Sequence, residues 1–385
     1  MAVPIGSLCS DIRQHHQATM IEVVDTGLIY RNPRPLLKSV HAWHPTLAQL
    51  DDGNILVSFD LAEAVSAANY GSYRARSRDG GVTWTEPVRF FDDADDPTTT
   101  HSVRISRLTD GTLAGAGHRR YNDYPDQPGW NPETYGCERG DWFFMRSAEG
   151  DTWDGPETIV PPLTRQPYEM CHATVETGDG RWLMPTGLLR TWEGEAPEGL
   201  KTIAMVSPDR GHTWPDYIPL FEDQNGDVIY HEVSLIQLPD GRLLTVAWPF
   251  DATAGKTLMK VPFAISTDGE SFDVRGSTEI PGETTKLLSL GDDRVFCLMR
   301  RTDQAGLWAV IARINGDEWV NLEEAPVWQG SGSHMRGKRA AATELAELAF
   351  GFPNLILLPD GDVYAAFWCR EECIHNIRWL RIRVA

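Results

Sequence analysis

One turn motif recurs along this chain at long intervals. Ser77-Arg78-Asp79-Gly80-Gly81-Val82-Thr83-Trp84 returns as Ser207-Pro208-Asp209-Arg210-Gly211-His212-Thr213-Trp214. A shortened copy reads Ser147-Ala148-Glu149-Gly150-Asp151-Thr152-Trp153, and a degenerate one Ser266-Thr267-Asp268-Gly269-Glu270-Ser271-Phe272. A second signature runs in phase with it: an apolar run, an Asp-Gly turn, then another apolar run. It occurs around Asp52-Gly53, Asp110-Gly111, Asp179-Gly180, Asp240-Gly241, Gly291-Asp292 and Asp360-Gly361. Self-similarity of this kind constrains architecture before any other argument. Asp-Gly between apolar runs marks a hairpin whose two central positions can both take positive φ.

Six hairpins, each followed by a third strand, a Ser-Asp-Gly-Thr-Trp turn and a fourth strand, predict an all-β chain. The expected fold is a six-bladed β-propeller with four-stranded antiparallel blades, which closes radially and leaves few exposed edges. The C-terminal run 377–384 supplies the third strand of the last blade, and the N-terminal strand 21–24 supplies its fourth and closes the ring. The expected division is an N-terminal extension over 1–19 and one propeller domain over 20–385. The hydrophobic share of 41% is enough for a large core and excludes a disordered chain.

Up-and-down topology also assigns the two faces. The Asp-Gly turns and the Ser-Asp-Gly-Thr-Trp turns fall on the same face. The opposite face carries the starts of the inner strands, the ends of the second strands and the long loops 60–73, 118–141, 190–201, 249–261 and 328–351. The last of these contains a predicted short helix over 340–348. Short repeated turns mark a structural face and long irregular loops a functional one.

The formal net charge of −20 argues against a nucleic-acid partner or an anionic membrane surface, since phosphate binding needs clustered Lys and Arg. An anionic small molecule then needs a locally positive pocket. No apolar run approaches the roughly 18 residues of a membrane span. With no basic start followed by an apolar stretch at the N-terminus, the expected location is the cytoplasm and the expected state of the scattered cysteines is reduced.

The Ser-x-Asp-x-Gly-x-Thr-Trp turns resemble the Asp-box (BNR) repeats of the sialidase/neuraminidase superfamily, and the resemblance covers nearly the whole chain. It implies the six-bladed fold. As a family, sialidases use three arginines on the substrate carboxylate, a Tyr nucleophile paired with a Glu, and an Asp acid/base. Glu232 matches the Glu that opens blade four. Where the first arginine would stand the chain reads Ala42-Trp43-His44-Pro45, and where the second would stand it reads Ala247-Trp248-Pro249. Phe350-Gly351-Phe352-Pro353 occupies the place of the nucleophilic Tyr, and Phe cannot attack an anomeric carbon. Asp60 or Glu63 falls in the loop where the acid/base Asp belongs. These departures argue against an exo-sialidase, which stays the lesser alternative.

Other residues converge at the starts of the inner strands: His44, His101, Glu169, His172, His231, Glu232 and Glu283. Three readings stay open for them. Acid/base catalysis on a sugar needs His, which titrates near neutral pH, beside a carboxylate that sets its tautomer. His231 and Glu232 point to opposite sides of a strand, so His231 needs a partner from a neighbouring blade, Glu169 or Glu283. A divalent metal could be held by His44, His101, His172 and His231 from successive blades. Alternatively, these side chains satisfy buried backbone groups. Arg104, Arg119, Arg190, Arg300 and Arg301 are candidates for a substrate carboxylate, with one of the Arg300-Arg301 pair facing inward. Trp43, Trp130 and Trp248 suit stacking on a sugar. The leading expectation is an intracellular glycoside hydrolase or lyase that acts on a small acidic saccharide through His and Glu. The alternative is a non-catalytic glycan-binding or scaffold propeller.

Overall fold

The computed structural model describes residues 20–92, 98–169, 172–332, 334–338, 344 and 347–385. The extension expected over 1–19 lies outside the described residues, as does most of the helix expected over 340–348. Six four-stranded antiparallel sheets form a six-bladed β-propeller. Their inner strands, which line the central channel, are His41–Gln49, Thr99–Arg107, the interrupted pair Tyr168–Glu169 and Val175–Glu176, Val228–Gln237, Gly282–Ser289 and Phe350–Leu357. The ring closes as the motif order predicts. Ile21–Tyr30 is the outer strand of blade six and pairs antiparallel with Ile374–Val384, Ile21 opposite Val384.

The core lies between blades. Second strands such as Ile55–Ala62 and Trp182–Leu188 are buried along their whole length, because each packs a neighbouring blade on both sides. That is why they are largely apolar, and the polar residues they do carry, Ser58, Asp60 and Thr186, are buried as well.

The repeated turns satisfy their own polar groups. Asp79 Oδ1 accepts from Thr83 N at 2.9 Å, and its Oδ2 from Thr83 Oγ1 at 2.6 Å. Gly81 N donates to Ser77 Oγ at 2.8 Å, and Trp84 Nε1 to Gly81 O at 3.0 Å. Asp209, Thr213, Gly211, Ser207 and Trp214 repeat these bonds. The Asp-Gly hairpins differ in type from expectation. Only the glycine takes positive φ, as at Gly53 (79°) and Gly241 (90°). The aspartate stays right-handed, and its carboxylate accepts the N–H two residues on, as Asp52 Oδ1 does from Asn54 at 3.0 Å and Asp240 Oδ1 from Arg242 at 3.1 Å. Gly53 N donates back to Leu50 O, so the turn is a type I turn followed by a glycine bulge.

Four inner strands carry a second, different irregularity near their starts. The register slips between Trp43 and Thr46, His231 and Ser234, Glu283 and Lys286, and Gly351 and Asn354. At each slip a non-glycine residue is left-handed: His44 (φ 51°), Glu232 (48°), Thr284 (52°) and Phe352 (46°). Such residues cost about 1–3 kcal/mol each and persist only where the surroundings over-determine them. Here the residue two places on ties the bulge to a neighbouring blade. Thr46 Oγ1 accepts Ile105 N, Ser234 Oγ accepts Leu287 N, and Asn354 Oδ1 accepts Leu47 N, at 2.8–3.0 Å. Lys286 takes the fourth such place and donates to Glu232 O at 2.9 Å. A bulge re-aims a side chain, and all four lie at the mouth of the channel.

Candidate active site

A cavity of about 800 Å³ opens on the long-loop face. Trp43, His44, His101, Arg104, Trp130, Glu169, Glu232, Trp248 and Arg300 all line it. It has three chemically distinct parts.

The first is built on Asp60, which has no solvent exposure. Asp60 Oδ1 accepts from Ser72 Oγ at 2.5 Å, and Oδ2 accepts from Tyr70 OH and Arg104 Nη2 at 3.0 Å each. Burial alone would push the Asp60 carboxyl up. The Arg104 guanidinium, the His44 bond and charge, and the Ser72 hydroxyl outweigh it, so the group sits below its ordinary range and is a carboxylate. Burial, then the Asp60 charge, holds the Tyr70 phenol well above its ordinary range, so Tyr70 keeps its proton. That single proton goes to Asp60. His44 Nδ1, 2.6 Å from Tyr70 OH and 3.4 Å from Asp60 Oδ2, must therefore carry its own hydrogen toward them. The other ring nitrogen, Nε2, is left for a ligand, on a half-buried side chain in the cavity wall. Trp43 stacks on Tyr70 at 5.9 Å and holds the ring.

The second part is Arg300, 1% exposed. Its Nε donates to Glu283 Oε2 at 2.9 Å and its Nη1 to Phe350 O. Glu283 Oε1 accepts from Thr257 Oγ1 at 3.0 Å, and Trp248 Nε1 donates to that same hydroxyl at 2.6 Å. The guanidinium is thus fixed from behind, while its Nη2 is buried with no hydrogen-bond partner. A buried charged donor left unmade is costly, and in a cavity wall it is a place for an anion. Burial pushes the Glu283 carboxyl up even with Arg300 beside it.

The third part is Glu232, half-buried, whose Oε2 accepts from Thr284 Oγ1, which in turn accepts from Phe352 N at 2.6 Å. The bulge residues of blades four, five and six are thereby linked in series around the channel.

Several expected site residues lie elsewhere. Glu283 is fully buried behind Arg300 and positions it. The bulge turns Glu232 to the cavity and sends His231 between blades. There His231 Nδ1 meets Glu169 Oε1 at 3.0 Å, among Trp130, Trp248 and Phe250. His172 bonds Ala173 O through Nδ1 at 2.8 Å, and burial holds its pKa down to about 3, so its imidazole is neutral. Arg301 faces outward to Asp303 and Glu324, since adjacent strand residues alternate. By the same alternation Arg119 lies over Phe143 and Arg120 takes the cavity place. Arg190 lines a separate cavity of about 340 Å³. The four histidines offered for a metal are therefore dispersed to different partners. Among the described residues no three His, Cys, Asp or Glu side chains are grouped to hold one. Tyr70, Asp60 and His375, whose Nδ1 lies 3.0 Å from that of His41 in the cavity wall, are not among the convergent residues of the sequence. The signal for Asp60 was its place in the first long loop. Tyr70 had none, because its role comes from a contact across that loop.

No protein-family model and no curated protein matches the chain. Solved structures do. A protein of unknown function from Dyadobacter fermentans superposes with a TM-score of 0.72 at 19% identity, over 95% of this chain and 100% of that one. The chain has the sialidase propeller fold. The K499G mutant of NanB sialidase from Streptococcus pneumoniae matches with a TM-score of 0.62 at 11% identity, over 92% of this chain and 70% of that one. The intramolecular trans-sialidase from Ruminococcus gnavus, in complex with oseltamivir carboxylate, matches with 0.61 at 12%, over 89% and 94%. At these identities the likeness shows the fold alone. Among the described residues no helix is long and apolar enough to cross a membrane.

Proposed function

We propose that this propeller is a carbohydrate-active enzyme that cleaves a small uronate-containing saccharide by acid–base chemistry, with His44 as the proton-transfer residue. The observation that carries the reading is one cavity holding both a histidine whose Nδ1 is engaged by Tyr70 and Asp60 and a buried arginine with an unpartnered nitrogen. Arg300 would bind the carboxylate and stabilise the negative charge that builds on it when the adjacent carbon loses its proton. The C5 proton passes to His44 Nε2. The C5 electrons form the C4=C5 double bond as the C4–O bond breaks, and the departing oxygen takes the proton back from imidazolium His44. No proton is consumed overall, and Tyr70 and Asp60 stabilise the transient imidazolium.

Elimination fits better than hydrolysis by two carboxylates. Both oxygens of Glu169 are engaged, by His231 and by Glu232 N at 2.9 Å, and Glu283 is behind Arg300. Hydrolysis keeps one supporting observation, the cavity-facing Glu232, of which only Oε2 carries a bond from Thr284.

The test is a panel of uronate disaccharides, read by the ultraviolet absorbance of the unsaturated product, beside a fluorogenic sialoside. Absorbance that rises with the wild type and is abolished by His44→Ala supports elimination. Reducing sugar released without that absorbance supports hydrolysis. Binding without turnover would mark a glycan-binding propeller, and sialoside turnover would overturn the reading.

A further inference from the structure

The long loops of blades two and three are joined into one built arch. Gly136–Cys137 and Arg190–Thr191 pair as parallel strands, and Trp130 bridges to Cys137. Asn131 Nδ2 and Thr134 Oγ1 both donate to Trp192 O, at 2.9 and 2.8 Å. Tyr124 stacks on Trp192 with ring centroids 4.2 Å apart and planes 12° from parallel. This backbone pairing makes the arch part of the scaffold and carries Trp130 to the cavity wall.

Two buried polar groups on this side of the cavity make no hydrogen bond, the second of them held in an ion pair. Trp130 Nε1 is buried without a hydrogen-bond partner, and so is Arg120 Nε. Arg120 lies 3.3 Å from the buried Glu138, in an ion pair whose geometry leaves Nε without a hydrogen bond. Gly129 lets the loop pass this guanidinium, since a Cβ there would sit 2.2 Å from Arg120 Nη1. An indole face beside a charge-paired guanidinium suits a neutral pyranose, with its C–H face on the ring and its hydroxyls on the donors.

The geometry points to a second saccharide subsite on this arch, formed by Trp130 and Arg120, that binds the neutral pyranose joined to the uronate. This rests on the proposed reading of the cavity as a saccharide site, and names the substrate as a uronate linked to a neutral sugar.

The test measures equilibrium binding by ligand-observed NMR, with two sets of ligands. One set is the methyl glycosides of glucose, galactose, mannose and rhamnose; the other is methyl glucuronide and methyl galacturonide. Trp130→Ala should weaken the best neutral glycoside roughly tenfold, the worth of a good aromatic contact. Trp130→Phe keeps an aromatic face but loses the N–H and the pyrrole half of the indole, and should cost roughly threefold. An Arg300→Met, Glu283→Gln double variant, which leaves no buried carboxylate alone, should weaken the uronides and leave the neutral glycosides unchanged. No neutral glycoside bound by the wild type, or binding that Trp130→Phe and Trp130→Ala leave intact, overturns the subsite. Uronide binding indifferent to the Arg300 double variant overturns the carboxylate reading instead and leaves the subsite standing.

Discussion

The two ends of this propeller solve the same problem, reversing a strand, in opposite ways. On the turn face the left-handed positions fall mostly to glycines, such as Gly53, Gly81 and Gly211, where they cost little, with Arg210 (φ 61°) an exception in the second repeat. The carboxylates of the repeated turns are spent on the turn itself, as Asp79 and Asp209 are on Thr83 and Thr213. At the channel mouth the left-handed positions belong to His44, Glu232, Thr284 and Phe352. Donors there stay without a hydrogen bond, at Arg300 Nη2 and Trp130 Nε1. One end is built from turns that bond their own carboxylates, and repeats. The other is strained and unsatisfied, and does not. Strain and unmade bonds persist where the surrounding fold holds them and a ligand can use them.

The sharpest break of this contrast is kinetic. His44→Ala should lower kcat on a uronate substrate by about 10²–10⁴, the usual worth of a positioned acid–base group, while leaving the melting temperature near that of the wild type. An equal loss of rate from Asp209→Ala, in protein shown to be folded, would break the assignment of chemistry to one face.

Trp214→Ala should do the reverse. Trp214 is 2% exposed within the cluster that joins blades two and three, with its ring 5.8 Å from Phe144. Its removal should cost about 3–5 kcal/mol in denaturant unfolding, with kcat of the folded fraction preserved.

Acid should open the two ends in sequence. Burial, with Arg120 nearby, holds His118 down to about 4, and burial with His41 holds His375 down to about 4. A histidine whose folded pKa is lowered gives stability that is complete above its unfolded value near 6.5 and lost as pH falls toward the folded value. The mouth should therefore weaken between about pH 6.5 and 4. The Thr83 hydroxyl and N–H hold Asp79 down to about 2. The corresponding Thr213 groups hold Asp209 down to about 2 against the opposing effect of burial. Their contribution is complete above about pH 4 and lost only as pH falls toward 2. Hydrogen exchange resolved by region should show amides of the mouth exchanging first on acidification; the opposite order would break the comparison.

The smallest effect sharpens it. Glu232→Gly removes a left-handed non-glycine and should leave stability unchanged or raise it by up to about 1 kcal/mol, with no fall in melting temperature, while turnover falls. A clear fall in melting temperature would show that the bulge carries no strain.

The fold was legible because its signals are local. Five Asp-Gly hairpins, a sixth around Gly291-Asp292, and the Ser-Asp-Gly-Thr-Trp turns state where strands reverse, and reversals at regular spacing leave one closed arrangement. Strand alternation even told that one of Arg300 and Arg301 must face inward. The site was legible only in part, for the same reason inverted. The bulges at His44, Glu232, Thr284 and Phe352 shift strand parity, so Glu232 enters the cavity while His231 leaves it, and no composition rule announces a bulge without glycine. Asp60, Tyr70 and His44 are apart in sequence and on different segments; what unites them is burial around one carboxylate. Hence the sequence by itself determined the blades, their closure and which face could carry chemistry, since those follow from turns a few residues long. Only the tertiary structure decided which side chains meet, because a hydrogen-bond network in a shared cavity depends on where six separate strands converge, and no local pattern encodes that distance.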